Sequence, residues 1–397
     1  MTVTNSLHKE SVVNAVQRPI TEVPKVPRLP HAGIVYVPAA VLKPAEARAL
    51  HTLQGSIANG VYPLIIARAV PPERTEIDDE TGERVIKSQP SLFDHVKAQR
   101  GLIIKALGVE QQFFNSGVTR LMLDTSALDK QQERATLGDF RESLGDNDCR
   151  FVVPIISPDR DENNRLAAAW DRKYFTGVAL RVTISKSASF PQATGLLRLL
   201  DALRIKTQRV DLVIDAGKID EQNICDVLPA ITAFHLAMAG ATRWRSVILT
   251  SNGFPKSISA LEFNIKHRLK RWDLVLWKRH RHALRDTACD QLPIYSDCGM
   301  VHVSIAEGGK IPQPNMRYTL ERDWLVYRRE HDEAAMRVVC GAVTEEDSFR
   351  GDTFSEGDAW IKGCADGKQR QSYAQTWLRA GWQHHIAFVV AQLRGRT

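Results

Sequence analysis

A (β/α)8 barrel is the fold that this chain of 397 residues predicts, and three observations carry that expectation. Eight short runs rich in Val and Ile recur from residue 33 onward, nearly continuous rather than alternating, as strands covered on both faces must be. Helix-like segments lie between most of them, with strand-to-strand intervals of roughly thirty residues, the length of one βα unit. No glycine-rich turn follows the first run, "YVPAAVLKP", so the rival open, doubly wound sheet lacks its usual signature.

Taken in order, residues 1–30 show no sustained hydrophobic period. Pro24, Pro27 and Pro30 fall at every third position, the repeat of a polyproline II rod, which suits an extended arm better than a docking motif. The expected strands are "GIVYVP" (33–38), "YPLIIARAV" (62–70), "TRLMLDTS" (119–126) and "RFVVPIIS" (150–157). "GVALRVT" (177–183), "VDLVIDAG" (210–217), "RSVILTSN" (245–252) and "LPIYSDCG" (292–299) complete the set. Among the helices, "KPAEARALHTL" has Pro44 where a first turn tolerates it. "NRLAAAWDRKYF", "QATGLLRLLDALRI" and "NICDVLPAITAFHLAM" have helical spacing. "PPERTEIDDETGERVIKS" reads as a hairpin around Glu80-Thr81-Gly82, a 71–90 insertion on the C-terminal face of the barrel.

The barrel therefore occupies 31–299, and residues 300–397 form an α+β extension packed on it. That extension holds the strand-like "VHVSI", "MRYTL" and "WLVYRR" and helices around 333–343, 355–364 and 374–393. Ser355 stands as an N-cap with Asp358 three residues on, a capping-box arrangement.

Composition bounds the function classes. The 43% hydrophobic and 25% charged residues are ordinary for a globular protein, so disorder is excluded for most of the chain. No apolar run reads as a membrane span and no signal segment follows Met1, so a cytoplasmic protein without a membrane partner is expected. Six scattered cysteines without a C-x-x-C pair argue against a zinc ribbon or disulfide framework and fit a reducing compartment. The net charge of +7 favours an anionic partner.

The segments "VDLVIDAG", "WRSVILTSNGFPKS", "LVLWKR", "PIYSDCG", "NMRYTLERDWLV", "FRGDTFSEGDAWIKGCA" and "TWLRAGWQHHIAFVVAQL" stand in an order and spacing that resemble the Beta protein family. "YPLIIA", "RLMLDTS" and "VVPIIS" resemble it more loosely. Where relatives often carry an acid at the end of the second strand, this chain has Ile66 and Ala67. The resemblance implies a barrel and a setting in phage–host conflict, with a defence-system protein as partner. It brings no established activity.

Reactive groups of such barrels project from the C-terminal strand ends. Here those ends offer Asp124, Asp159 with Arg160, Arg181, Asp215, Thr250 to Asn252, and Asp297. Asp124, Asp215 and Asp297 could ligate Mg²⁺ or Mn²⁺, and Asp215 and Asp297 could act as acid and base. Capping of the next helix is the competing role for Asp124. Arg181, inside "VALRVT", must meet one of these aspartates or face an anion. Asn315, Arg317 and Tyr318 are candidate substrate contacts from the extension. His384 and His385 adjoin in one helix, about 100° apart, so they cannot chelate one ion together. Packing is their first reading, and acid–base work the second. The run 264–285 holds eight Lys or Arg against one Asp. As a helix from about residue 270 it puts Arg271, Lys278 and Arg285 on one stripe, with Arg281 nearby, as a phosphate-backbone contact or a solvated face. Two functions stay open: a site at the barrel mouth for a phosphorylated or nucleotide-like ligand, as in a metal-dependent hydrolase or phosphodiesterase, or a non-catalytic barrel binding nucleic acid or protein.

Overall fold

Eight parallel strands close on themselves in the computed structural model, which describes residues 33–71, 74–77, 84–87, 90–108, 117–184, 193–301, 313–369 and 373–395. The expected 1–30 arm lies outside the described residues, as does most of "VHVSI". β1 (Tyr36–Val41) leads through α1 (Pro44–His51) and α2 (Gly55–Asn59) to β2 (Leu64–Ile66). An antiparallel pair follows, β3 (Arg74–Ile77) and β4 (Arg84–Lys87), then α3 (Leu92–Leu107), β5 (Leu121–Asp124), α4 (Ser126–Gln132) and α5 (Leu137–Cys149). The alternation continues with β6 (Val152–Ile156), α6 (Asp161–Tyr174), β7 (Val178–Thr183), α7 (Ala193–Ala202), β8 (Val210–Lys218), α8 (Ile224–Ala241) and β9 (Ser246–Asn252). β10 (Lys266–Lys270), α9 (Trp272–Leu284) and β11 (Ile294–Asp297) come next. Around the barrel the order is β1-β2-β5-β6-β7-β8-β9-β11, so each of the eight expected runs supplies one strand.

The pleat sorts each strand into two faces. Val37, Ala39, Leu64, Ile66, Met122, Val153, Ile155, Ala179, Val213, Ile248 and Ile294 fill the barrel interior. Their neighbours, among them Ile65, Leu121, Leu180, Leu212, Leu249 and Tyr295, pack outward against the helices. The N-terminal end is plugged by Asp211, which accepts from Arg245 Nε at 2.9 Å, Ser246 Oγ at 2.7 Å and Tyr62 Oη at 3.1 Å. Gly177 is fixed by this plug: its φ is +74°, and a Cβ there would overlap the Arg245 guanidinium.

The extension contains β12 (Asn315–Thr319), β13 (Asp323–Arg328), α10 (Ala335–Thr344), α11 (Glu356–Ala365) and α12 (Ala374–Leu393). Ser355 caps α11 as expected, accepting from Asp358 N at 3.1 Å. β12, β13 and β10 form an antiparallel sheet. The third strand comes from the basic run, which helix periodicity alone does not reveal; the helix begins at Trp272. Met316, Tyr318 and Leu325 face α10 and α11, whereas Trp324 and Val326 pack with Phe254 and Met300 beside the barrel. Residues 380–390 of α12 are buried without interruption, because this helix lies between barrel and sheet.

α8 is, among the described residues, the one helix long and apolar enough to cross a membrane, an exception to the reading of the sequence. Its Ile224, Val227, Ile231, Phe234 and Met238 are instead buried in the outer barrel core. α8 and α9 meet through a buried histidine pair, His235 Nδ1 lying 2.9 Å from His280 Nε2. Gln291 O can only accept, so His235 Nε2, 2.9 Å away, carries a proton. In the neutral pair, His235 Nδ1 then accepts from His280. Burial lowers both rings, His280 to about 3. The neutral pair therefore contributes its full stability above the ordinary histidine value of 6.5, and that contribution is lost as the pH falls from there toward about 3. The urea midpoint of the native chain is expected to drop more steeply below pH 6.5 than that of His280→Gln; superimposable pH profiles would contradict the pairing.

Candidate functional site

Three of the strand-end residues come together. Met122, Ala179 and Val213 line the barrel, so the pleat carries Asp124, Arg181 and Asp215 inward at its C-terminal mouth. Arg181 donates from Nη1 to Asp124 Oδ2 at 2.6 Å, and from Nη2 and Nε to Asp215 Oδ2 at 2.7 and 3.0 Å. The far oxygens are also engaged: Asp124 Oδ1 accepts from Ser126 N at 2.8 Å and Asp215 Oδ1 from Gly217 N at 2.9 Å. Asp124 is thus both the turn-forming residue at the start of α4 and an ion-pair partner. Arg160 lies 3.5 Å from Asp124 and also pairs with Asp129. Burial opposes charge on Asp124, but Arg181 and Arg160 outweigh it and hold the carboxyl below its usual range. The Arg181 guanidinium, desolvated but flanked by Asp215 and Asp124, is held even more firmly protonated than usual.

Asp297 does not join them. It follows Tyr295 on the outward face of β11, one residue out of phase with the barrel lining, so it looks toward α9 and α12. Asp297 Oδ1 accepts from Tyr36 Oη at 2.6 Å and Gly299 N at 3.0 Å, and Oδ2 from Tyr295 Oη at 2.6 Å. His385 Nε2 stands 3.1 Å away, and its Nδ1 is 2.8 Å from Thr319 Oγ1. Burial favours the neutral His385 ring. Burial also works against charge on Asp297, yet His385, Arg271 and the Tyr295 hydroxyl hold that carboxyl below its usual range.

The metal reading does not fit this arrangement. Asp124 and Asp215 spend their oxygens on Arg181 and backbone amides, Asp297 faces the other layer, and no three His, Cys, Asp or Glu converge among the described residues. Cys298, at the mouth, has its thiol raised by burial and is no ready nucleophile.

The two histidines divide between two layers. His385 serves the barrel side. His384 serves the extension: Nδ1 is 3.0 Å from Asp358 Oδ2, Nε2 is 2.9 Å from Thr319 O, and its ring stacks on Tyr318 at 3.6 Å. Both are fully buried, in line with packing as their first role. Tyr318, expected at the site, points to the far side of the small sheet and donates to Asp358 Oδ1 at 2.7 Å. Arg317, one residue earlier, faces the barrel: it donates to Met300 O at 2.5 Å and lies over the Phe254 ring at 5.1 Å. Asn315 shares that face and accepts from Arg317 Nε at 3.3 Å.

Part of the basic run is paired within the protein. Arg271, expected on an outer stripe, is fully buried; it donates to Leu320 O at 3.1 Å and Tyr295 Oη at 3.3 Å and lies 3.8 Å from Asp297. Lys266 and Arg268 pair with Glu346, at 2.9 and 2.6 Å. Arg281 covers the Trp277 ring at 4.8 Å. Lys278 and Arg285 remain exposed. A residue that the sequence reading missed is Glu46, buried in the first turn of α1 near Lys43, Arg317 and Arg68, with its carboxyl lifted by burial to about 7. A glutamate three residues after a helix N-cap, here Lys43, reads as ordinary helix-start chemistry, so no sequence signal singles it out.

Asp297→Ala removes the ionised neighbour of the buried Arg271, and a loss of about 3–5 kcal/mol is expected in urea denaturation. Lys278→Ala, at an exposed position, is expected to stay within about 0.5 kcal/mol. Equal effects would overturn the placement of Arg271.

No match appears among the curated proteins compared with this chain. The order of the strands, the closed barrel and the helices that cover it are those of a sequence whose residues 36–391 match one family model, and on that match the chain belongs to the Beta protein family.

Proposed function

We propose that this barrel acts in phage–host conflict through a polar site at its C-terminal mouth, which takes the anionic group of a phosphorylated or nucleotide-like ligand. One observation carries the reading. A guanidinium has five N–H groups in a fixed fork, and Arg181 spends three of them on Asp215 and Asp124. Two remain, one on each terminal nitrogen of a side chain still 20% exposed. The aspartates hold the fork rigid, so little side-chain entropy is lost when an oxyanion docks there. Arg160 beside Asp124 offsets part of the carboxylate charge that would repel an anion.

In calorimetric titration with inorganic phosphate, Arg181→Lys is expected to weaken binding about tenfold or more, because it keeps the charge and loses the fork. The neutral triple variant Asp124→Asn, Arg181→Gln, Asp215→Asn spares the fold from unpaired buried charge and is expected to bind none. Phosphate affinity unchanged in both variants would refute the reading.

A second reading draws on the exposed Lys278 and Arg285 of α9, which suit contact with a nucleic-acid backbone or an acidic protein. Binding of double-stranded DNA would then weaken steeply with salt, and each of Lys278→Ala and Arg285→Ala would reduce the slope by about one. A salt-independent affinity, or slopes unchanged by both substitutions, would count against it.

A further inference from the structure

We propose that the rim of the mouth formed by Asn252, Ser296, Glu46 and Arg317 is a second subsite, which binds the hydroxyl groups of a sugar phosphate whose phosphate sits at Arg181. This rests on the Arg181 reading and extends it to the rest of the ligand.

Buried polar atoms in folded proteins almost always have a hydrogen-bond partner. Asn252 Nδ2, Ser296 Oγ and Glu46 Oε2 are all buried without one among the described residues. They lie on neighbouring segments. Ile248 and Ile294 line the barrel, so the pleat puts Asn252 and Ser296 on the inner face as well. Ser296 is paired in register with Thr250, and Asn252 lies two residues further up the adjacent strand. Glu46 stands in the first turn of the helix that follows β1, and β1 pairs with β11 on its other side. Arg317 closes the group from the extension. It is anchored on Phe254 and Met300, which follow β9 and β11 directly, and its charge acts on Glu46.

The chemistry of the set selects the ligand. An amide NH₂ donates, a hydroxyl donates and accepts, and a carboxyl with an acidity near neutrality does either. Sugar hydroxyls, each a donor and an acceptor, satisfy all three. A second phosphate would meet a carboxylate, and an apolar group would leave three buried polar atoms unpaired, which costs about 1–3 kcal/mol each.

The test is calorimetry on the full chain with inorganic phosphate, ribose 5-phosphate and glucose 6-phosphate. At least one sugar phosphate is expected to bind about tenfold or more tightly than phosphate. In the double variant Asn252→Ala, Ser296→Ala that advantage should shrink to near parity while phosphate affinity is retained. Ser296→Ala alone, a small change, should give an intermediate loss and guards against misfolding of the double variant. Phosphate bound with no preference for either sugar phosphate, or a preference that survives the double variant, overturns the subsite and leaves Arg181 standing. No binding of any probe overturns both.

Discussion

A helix segment buried on every side must find partners inside the protein for the side chains that would otherwise turn to water, and the second half of α12 is such a segment. Residues 380–390 have no solvent to turn to, yet they include Gln383, His384 and His385. Two adjacent histidines point about 100° apart, and this divergence is what the architecture uses. One ring reaches Asp358 and Thr319 in the extension, and the other reaches Asp297 and Tyr36 in the barrel. A pair that looks like a catalytic signature is the fastening between two layers. Trp382 adds shape to it: its ring lies where a Cβ on Gly299, with φ +59°, would come within 2.6 Å.

The polar interior thus falls into three levels with different chemistry. At the closed end of the barrel, Asp211, Arg245, Ser246 and Tyr62 satisfy one another and plug the base. In the helical layer, Tyr36, Tyr295 and His385 gather on Asp297 beside the enclosed Arg271 charge. Toward the mouth, the Arg181 fork keeps unused donors, near buried groups that lack partners among the described residues. Saturated networks rigidify a fold, whereas unsaturated ones are where a ligand gains binding energy.

The barrel was legible because buried parallel strands must be apolar on both faces, and eight such runs at βα spacing leave few other topologies. Arg181 was legible for a related reason, since a guanidinium inside such a run demands partners. What failed was phase. "PIYSDCG" has Asp297 at a strand end like Asp215, but the inward face of β11 carries Ile294 and Ser296, so Asp297 looks the other way. Similarly, "NMRYT" supplies three polar residues in four positions, and alternation sends Arg317 to the barrel and Tyr318 away from it. Arg271 shows the same limit in a helix start, where an apparent surface stripe ends in the deepest cation of the fold. Glu46 was hidden because its meaning depends on what lies above it, which no local pattern records.

The contact between Tyr36 and His385 joins residues 349 positions apart. Strand β1 is the first barrel strand to leave the ribosome, and the helix that seals its seam with β11 emerges after every strand of the barrel. Contacts so distant along the chain are slow to form, and unsealed strand edges invite association with other chains. Synthesis of this protein therefore passes through a long interval with an open barrel edge, and a chain cut short within α12 would stay in that state.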